Sequence, residues 1–153
     1  MKRISYLAVP LVITMLSATA TRAQDLGAQI QAANDHLLNQ GHVSMVLDFF
    51  APQFVVHLST GDVQGDPEFI TEFVNELRTA FPDLHVEVQI LVVQGNRVAW
   101  LRRNRGTQRG AYMGVPASDR VIEWQDMIVT RFEDGKIVEE WGVSDLGERL
   151  RAP

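Results

Sequence analysis

Residues 120–144 read RVIEWQDMIVTRFEDGKIVEEWGVS, and the punctuation of that stretch decides the fold. The even positions Ile122, Trp124, Asp126, Ile128, Thr130 and Phe132 make a largely apolar face. Period-two patterning of this kind is the signature of a half-buried strand. Glu133-Asp134-Gly135-Lys136 then reads as a hairpin turn, because Asp-Gly accepts the positive φ angles that tight hairpins need. Ile137 to Ser144 returns as the closing strand of the sheet.

The neighbouring segments extend the pattern. Leu84, Val86, Val88, Ile90 and Val92 alternate with His85, Glu87, Gln89 and Leu91, which predicts another strand. Gln94-Gly95-Asn96 turns the chain into a strand over Arg97 to Thr107, and a Gly- and Pro-containing loop follows. Further upstream, Asp66 is placed to cap a helix whose first position is Pro67 and whose first turn holds Glu68. Phe69, Ile70, Phe73, Val74 and Leu77 share one face of that helix, and Phe81-Pro82 ends it. Leu26, Ile30, Ala33, Leu37 and Leu38 predict an earlier helix that stops at Gln40-Gly41, and a short helix over Val43 to Phe50 ends before Pro52. Phe54 to Leu58 is β-prone, and Ser59 to Gly65 reads as turn. Helices first and strands afterwards define an α+β chain. The expected solution is a cone-shaped, curved antiparallel or mixed sheet wrapped around three amino-terminal helices, with an apolar pocket against its concave face.

With 153 residues, 46% of them apolar and 22% charged, the chain suits one globular domain. Lys2 and Arg3, the apolar run Ile4 to Leu16 and small residues up to Ala23 have the order of a secretory signal peptide. Residues 1–23 are therefore expected to be removed after Ala23, leaving a domain over 24–153 in the periplasm or outside the cell; an uncleaved anchor is the alternative. Loss of Lys2, Arg3 and Arg22 takes the formal charge from −5 to −8. An acidic domain of this kind is a poor partner for nucleic acid or, once cleaved, for membrane. Arg102, Arg103, Arg105 and Arg109 form a solvated edge or a small-anion site. There is no cysteine, so disulfides and thiolate chemistry are excluded. The spacing of His36, His42, His57 and His85 predicts no metal.

Phe81-Pro82-Asp83-Leu84, Gly106-Thr107-Gln108-Arg109-Gly110, Met113-Gly114-Val115-Pro116 and Arg131 to Glu139, with Trp141 and Asp145, together resemble the SnoaL-like polyketide cyclase family. That family, also labelled ester cyclase, falls within the nuclear transport factor 2-like superfamily. The resemblance runs from about Asn34 to Leu150. It implies the cone-shaped barrel, a small-molecule pocket, homodimerisation through the outer sheet face, and no metal or organic cofactor. It also implies ring closure by intramolecular aldol condensation, in which an acid–base group takes a proton beside a carbonyl and the pocket steadies the enolate. The sequence departs from the family where polar groups are usual: Gly142 stands at the carboxylate position after the tryptophan, and Ile128 and Gln108 replace other polar side chains.

Three residues remain as catalytic candidates. Asp126 sits on the apolar face of its strand, and a carboxylate among apolar neighbours has its protonated form favoured; the alternative is an Asp bonded to an arginine or to backbone. Glu140 shares a face with Gly142, so it is either a displaced acid or a solvated side chain. His57 matches a histidine position of the family near the pocket mouth and could exchange protons near neutrality, or simply bond a loop carbonyl. Trp124, Ile128, Trp100, Met113 and Phe132 are expected to line the substrate pocket. Asp145 is expected to cap the terminal helix, and Trp141, on the opposite face from Glu140, to join a dimer contact. Two functions follow. One is a cofactor-free cyclase, isomerase or dehydratase acting on a small apolar carbonyl compound. The other is an exported carrier of small apolar ligands; a structural partner domain is a third possibility.

Overall fold

The computed structural model describes residues 25–153. The segment read as a signal peptide lies outside them. Helix α1 covers residues 25–34 and runs into a single π-helical stretch, Asp35–Asn39. A 3₁₀ turn, Val43–Met45, leads to a one-turn helix α2, Val46–Phe49. Strand β1 (Phe50–Leu58) and strand β2 (Gly61–Gly65) follow, then helix α3 (Pro67–Ala80). Strands β3 (His85–Gln94), β4 (Arg97–Thr107), β5 (Val121–Glu133) and β6 (Lys136–Ser144) precede a short helix α4, Leu146–Arg151.

The six strands form one mixed sheet in the order β2-β1-β6-β5-β4-β3. Only β1 and β6 run parallel; every other pair is antiparallel. Strand β5 alternates without a fault, all six of its even residues from Ile122 to Phe132 being buried. Asp134 and Gly135 both take positive φ (47° and 75°), as the β5–β6 hairpin requires.

Helix α3 starts as its sequence dictates: the Asp66 carboxylate accepts a hydrogen bond from the Phe69 amide at 2.9 Å. Its buried side chains, Ile70, Val74, Leu77 and Ala80, press on the concave sheet face. Helix α1 is fixed at its far end by two side chains. Arg78 donates to the carbonyls of Leu38 and Asn39, satisfying orphan helix-end acceptors. Asn39 bonds both the amide and the carbonyl of Val86 on the edge strand β3. Gly41 has φ +72°, and a Cβ there would lie 2.8 Å from Arg78 Nε, so this turn needs glycine twice over.

Three expectations are corrected. The early strand starts at Phe50 rather than Phe54 and includes Pro52; proline is tolerated because the β1–β6 register shifts between Phe50 and Val55, in a bulge. The short helix accordingly stops at Phe49. Ser59 to Gly65 is not all turn, since Gly61–Gly65 forms β2, packed so closely that a Cβ on Gly65 would meet the Phe54 ring at 2.2 Å. A further bulge between Ile90 and Val92 ends the alternation of β3 early, leaving Leu91 and Val92 both exposed.

Candidate functional site

The concave face of the sheet, roofed by α1 and α3, encloses a hollow of about 580 Å³. Its interior is apolar: Leu37 and Leu38 come from the first helix, Ile70 and Phe73 from α3, and Trp100, Trp124 and Ile128 from the sheet. Exposed residues mark the mouth, namely Leu58 to Thr60 in the β1–β2 turn, Met113, and Ser144, Glu148 and Arg151 at the carboxyl end. Asn34, Arg102, Tyr112, Asp126 and Glu140 supply the polar groups inside.

Those groups fall into two sets. In the first, Arg102 on β4 faces Asp126 directly across the ladder. Its Nε donates to Asp126 Oδ2 at 2.7 Å, and Asn104 Nδ2 donates to the same oxygen at 2.9 Å. Both partners are largely buried, with 16% and 7% of their side chains exposed. Arg102 Nη1 also reaches Asn34 Oδ1 at 3.4 Å, and the guanidinium lies 5.8 Å from the Trp100 ring. Asp126 thus points into the hollow as its strand parity predicts, but it is the satisfied, arginine-bonded Asp of the two readings. Arg102 leaves the exposed arginine edge on which the sequence reading put it; its even parity on β4, shared with Trp100, turns it inward. Arg105 and Arg109 stay outside, paired with Glu123 and Asp119.

In the second set, Thr130 and Glu140 are cross-strand partners on β5 and β6. Thr130 Oγ1 donates to Glu140 Oε1 at 2.7 Å and accepts from Trp100 Nε1 at 2.9 Å. Burial pushes the Glu140 carboxyl above the usual range, while the Thr130 hydroxyl and the positive charge of Arg102 oppose that shift. The phenol of half-buried Tyr112 is likewise raised, mainly by burial. Gly142 lies two residues from Glu140 on the same face, and a Cβ there would meet nothing nearer than Ile128 Cγ1 at 3.9 Å. The hollow therefore has room at Gly142, and beside it Glu140 has no cation in hydrogen-bond contact among the described residues.

Other expected site residues lie elsewhere. His57 has the opposite parity from Val56 and Leu58, which line the pocket, so its ring is on the outer face. There Nδ1 meets Asp62 Oδ1 at 2.7 Å and Nε2 meets Glu139 Oε1 at 2.9 Å, and the ring stacks on Trp141 at 4.9 Å. The two hydrogen bonds, Glu139 first, raise the histidine pKa above 6.5. His57 in turn, followed by Arg131, lowers that of Glu139. Phe132 is buried beyond the pocket lining in the core, whereas Trp100, Trp124, Ile128 and Met113 all line it. Gln108 is fully buried outside the lining and organises the following loop through Pro116 O and Ser118 Oγ. Asp145 stands at the cap position of α4, but its carboxylate accepts from the Gln125 amide and the Arg149 side chain and from no backbone amide of the helix. Among the described residues no group of three or more His, Asp or Glu side chains is arranged to hold a metal ion.

A curved mixed sheet closed by helices around one apolar hollow defines this as a pocket protein of the nuclear transport factor 2-like class. More narrowly, the chain belongs to the SnoaL-like polyketide cyclase family, whose model matches residues 28–152. Among solved structures, IdmH from Streptomyces antibioticus, proposed as a polyketide cyclase, is 31% identical with a TM-score of 0.66, the match covering 84% of this chain and 95% of that one. AclR from Streptomyces galilaeus, proposed as a hydroxylase, is 28% identical at a TM-score of 0.69, over 87% and 98% of the two chains. A further structure, proposed as a polyketide cyclase, from Acidithiobacillus ferrooxidans shares the fold at a TM-score of 0.73 and 20% identity, over 84% and 96%. None of the curated proteins matches the chain.

Two outcomes follow from this geometry. Asp126→Ala strands a buried guanidinium and should cost about 3–5 kcal/mol in urea denaturation, whereas Arg102→Leu with Asp126→Leu should recover most of it; a single-variant cost below about 1 kcal/mol would contradict the buried pair. His57 binds its proton more tightly when folded, so its contribution is complete below 6.5 and is lost as pH rises through the raised folded value. Glu139, shifted down, contributes above 4.5 and loses that contribution as pH falls through its lowered folded value. The urea-midpoint difference between wild type and His57→Gln should therefore be large at about pH 6 and shrink by about pH 9. A difference that grows with pH would be inconsistent with His57 being held between Asp62 and Glu139.

Proposed function

We propose that the domain is a cofactor-independent acid–base catalyst acting on a small apolar carbonyl compound, with Glu140 as the proton-transfer group. The observation that carries this reading is a carboxyl raised by burial, with no positive partner in hydrogen-bond contact among the described residues, set in an apolar hollow. In the reaction the Glu140 carboxylate takes a proton from the carbon beside a carbonyl. The C–H electron pair becomes a C=C bond and the carbonyl π pair moves onto oxygen, giving an enolate. The enolate carbon then attacks a second carbonyl of the same molecule, forming the ring bond as that carbonyl's π pair moves onto its oxygen, and the new alkoxide takes the proton back from the Glu140 carboxyl. Arg102, a cation lining the same hollow, is placed to stabilise the developing oxyanion. In this reading Asp126 holds Arg102 and does not act as the base, and His57 has no part in the chemistry. The hollow accommodates a compact polycarbonyl chain, in keeping with the polyketide cyclase family. Taken with the signal-like residues 1–23, the reaction would occur in the periplasm or outside the cell.

The carrier reading draws support from Gly142, which removes the acid at the family's position. Solvent-exchange mass spectrometry separates the two. With an aromatic β-keto ester as probe in D₂O, wild type should incorporate deuterium at the α-carbon faster than buffer. Glu140→Gln should lose about 10²-fold or more of that rate, while keeping its thermal midpoint. Binding of the probe without any exchange would favour the carrier and remove the catalytic proposal.

A further inference from the structure

We propose that Trp100, Thr130 and Glu140 form a one-way hydrogen-bond chain that commits Glu140 to exchanging its proton through Oε2 alone, making Thr130 a positioning residue for the acid–base step. The proposal rests on Glu140 being the proton-transfer group. Its direction follows from what each atom is able to do.

An indole nitrogen only donates, so Trp100 Nε1 at 2.9 Å fixes Thr130 Oγ1 as an acceptor on that side. Thr130 is completely buried and has a single hydroxyl proton. Among the described residues Glu140 Oε1, at 2.7 Å, is the one acceptor that proton has. A proton on Oε1 would therefore either confront the Thr130 proton or reverse it, leaving a buried O–H without an acceptor, which is unfavourable. Oε1 remains an acceptor in both states of the carboxyl, and the mobile proton belongs on Oε2. The hydroxyl also bonds the ionised form more strongly than the protonated one, tuning the acid against the effect of its burial.

The charged surroundings of Glu140 are few. Arg102 faces it from β4 and Asp126, held by Arg102 and Asn104, from β5. Tyr112 lines the hollow from the β4–β5 loop, and Glu148 and Arg151 do so from α4 at the mouth. The lining residues of α1 and α3 carry no ionisable group. None of these neighbours bonds Oε1, so the chain through Thr130 is the one contact that orients the carboxyl among the described residues.

The first test uses the folded domain and needs no substrate. In wild type, the Trp100 indole proton followed by NMR should titrate with the same midpoint as the ¹³C-labelled Glu140 carboxyl. Thr130→Val, which keeps shape but removes the hydroxyl, should move the Glu140 midpoint to higher pH and abolish the indole step; Thr130→Ser should restore both. In the deuterium-exchange assay, the acidic limb of the Thr130→Val pH profile should move up with that midpoint. A Trp100 proton indifferent to Glu140 in wild type, or an unmoved Glu140 midpoint in Thr130→Val, would overturn the chain. Glu140→Gln retaining full exchange would instead remove the catalytic reading while the titration coupling stood, so the two failures are distinguishable.

Discussion

The Arg102–Asp126 pair is the constraint on which the interior depends. A cation in an apolar hollow is tolerated only with a counter-ion in close contact and its remaining protons directed at acceptors. The direct pairing of β4 and β5 supplies the first, and Asn34 on the first helix supplies part of the second. Asp126 Oδ2 also accepts from Asn104, so two donors hold its charge. Glu140 has no such partner in hydrogen-bond contact among the described residues, which is why the proposed function assigns it the proton transfer.

That division of labour between two carboxylates is an effect of environment, not of residue type. Asp126 and Glu140 line one hollow on adjacent strands. The first has a guanidinium against it and the second a threonine hydroxyl. Burial without an opposite charge in contact favours the protonated form, which raises the Glu140 carboxyl. The proposed enolate chemistry draws on both, the fixed cation and the acid raised by burial.

Much of the scaffold was legible in the sequence, for identifiable reasons. Helix α3 declares itself because cap, proline and apolar stripe agree over Asp66 to Phe81. Strand β5 does so because its even face is buried along its whole length. The family-like motifs are legible for structural reasons too: Asp83 accepts from both the amide and the hydroxyl of Thr107, and Gly106 lies against Phe81, where a Cβ would be 3.0 Å from that side chain's own Cβ. The site was read less well. His57 was drawn to the pocket by resemblance, although one step of strand parity puts it on the outer face. Arg102 was grouped with its exposed neighbours, since local charge density hides the alternation that turns it inward. The role of Thr130 depends on the register of three strands, β4, β5 and β6, which no local pattern encodes. Strand β2 was hidden because Gly61 to Gly65 has the composition of a turn and gains its pairing only from β1.

The central claim is that Glu140, and not Asp126, is the carboxyl free to exchange a proton inside the hollow. Infrared spectroscopy of the carboxyl C=O stretch across a pH series tests it directly. The protonated band that persists to the highest pH should vanish in Glu140→Gln and survive in Asp126→Asn. A band that survives Glu140→Gln and disappears in Asp126→Asn would contradict the account.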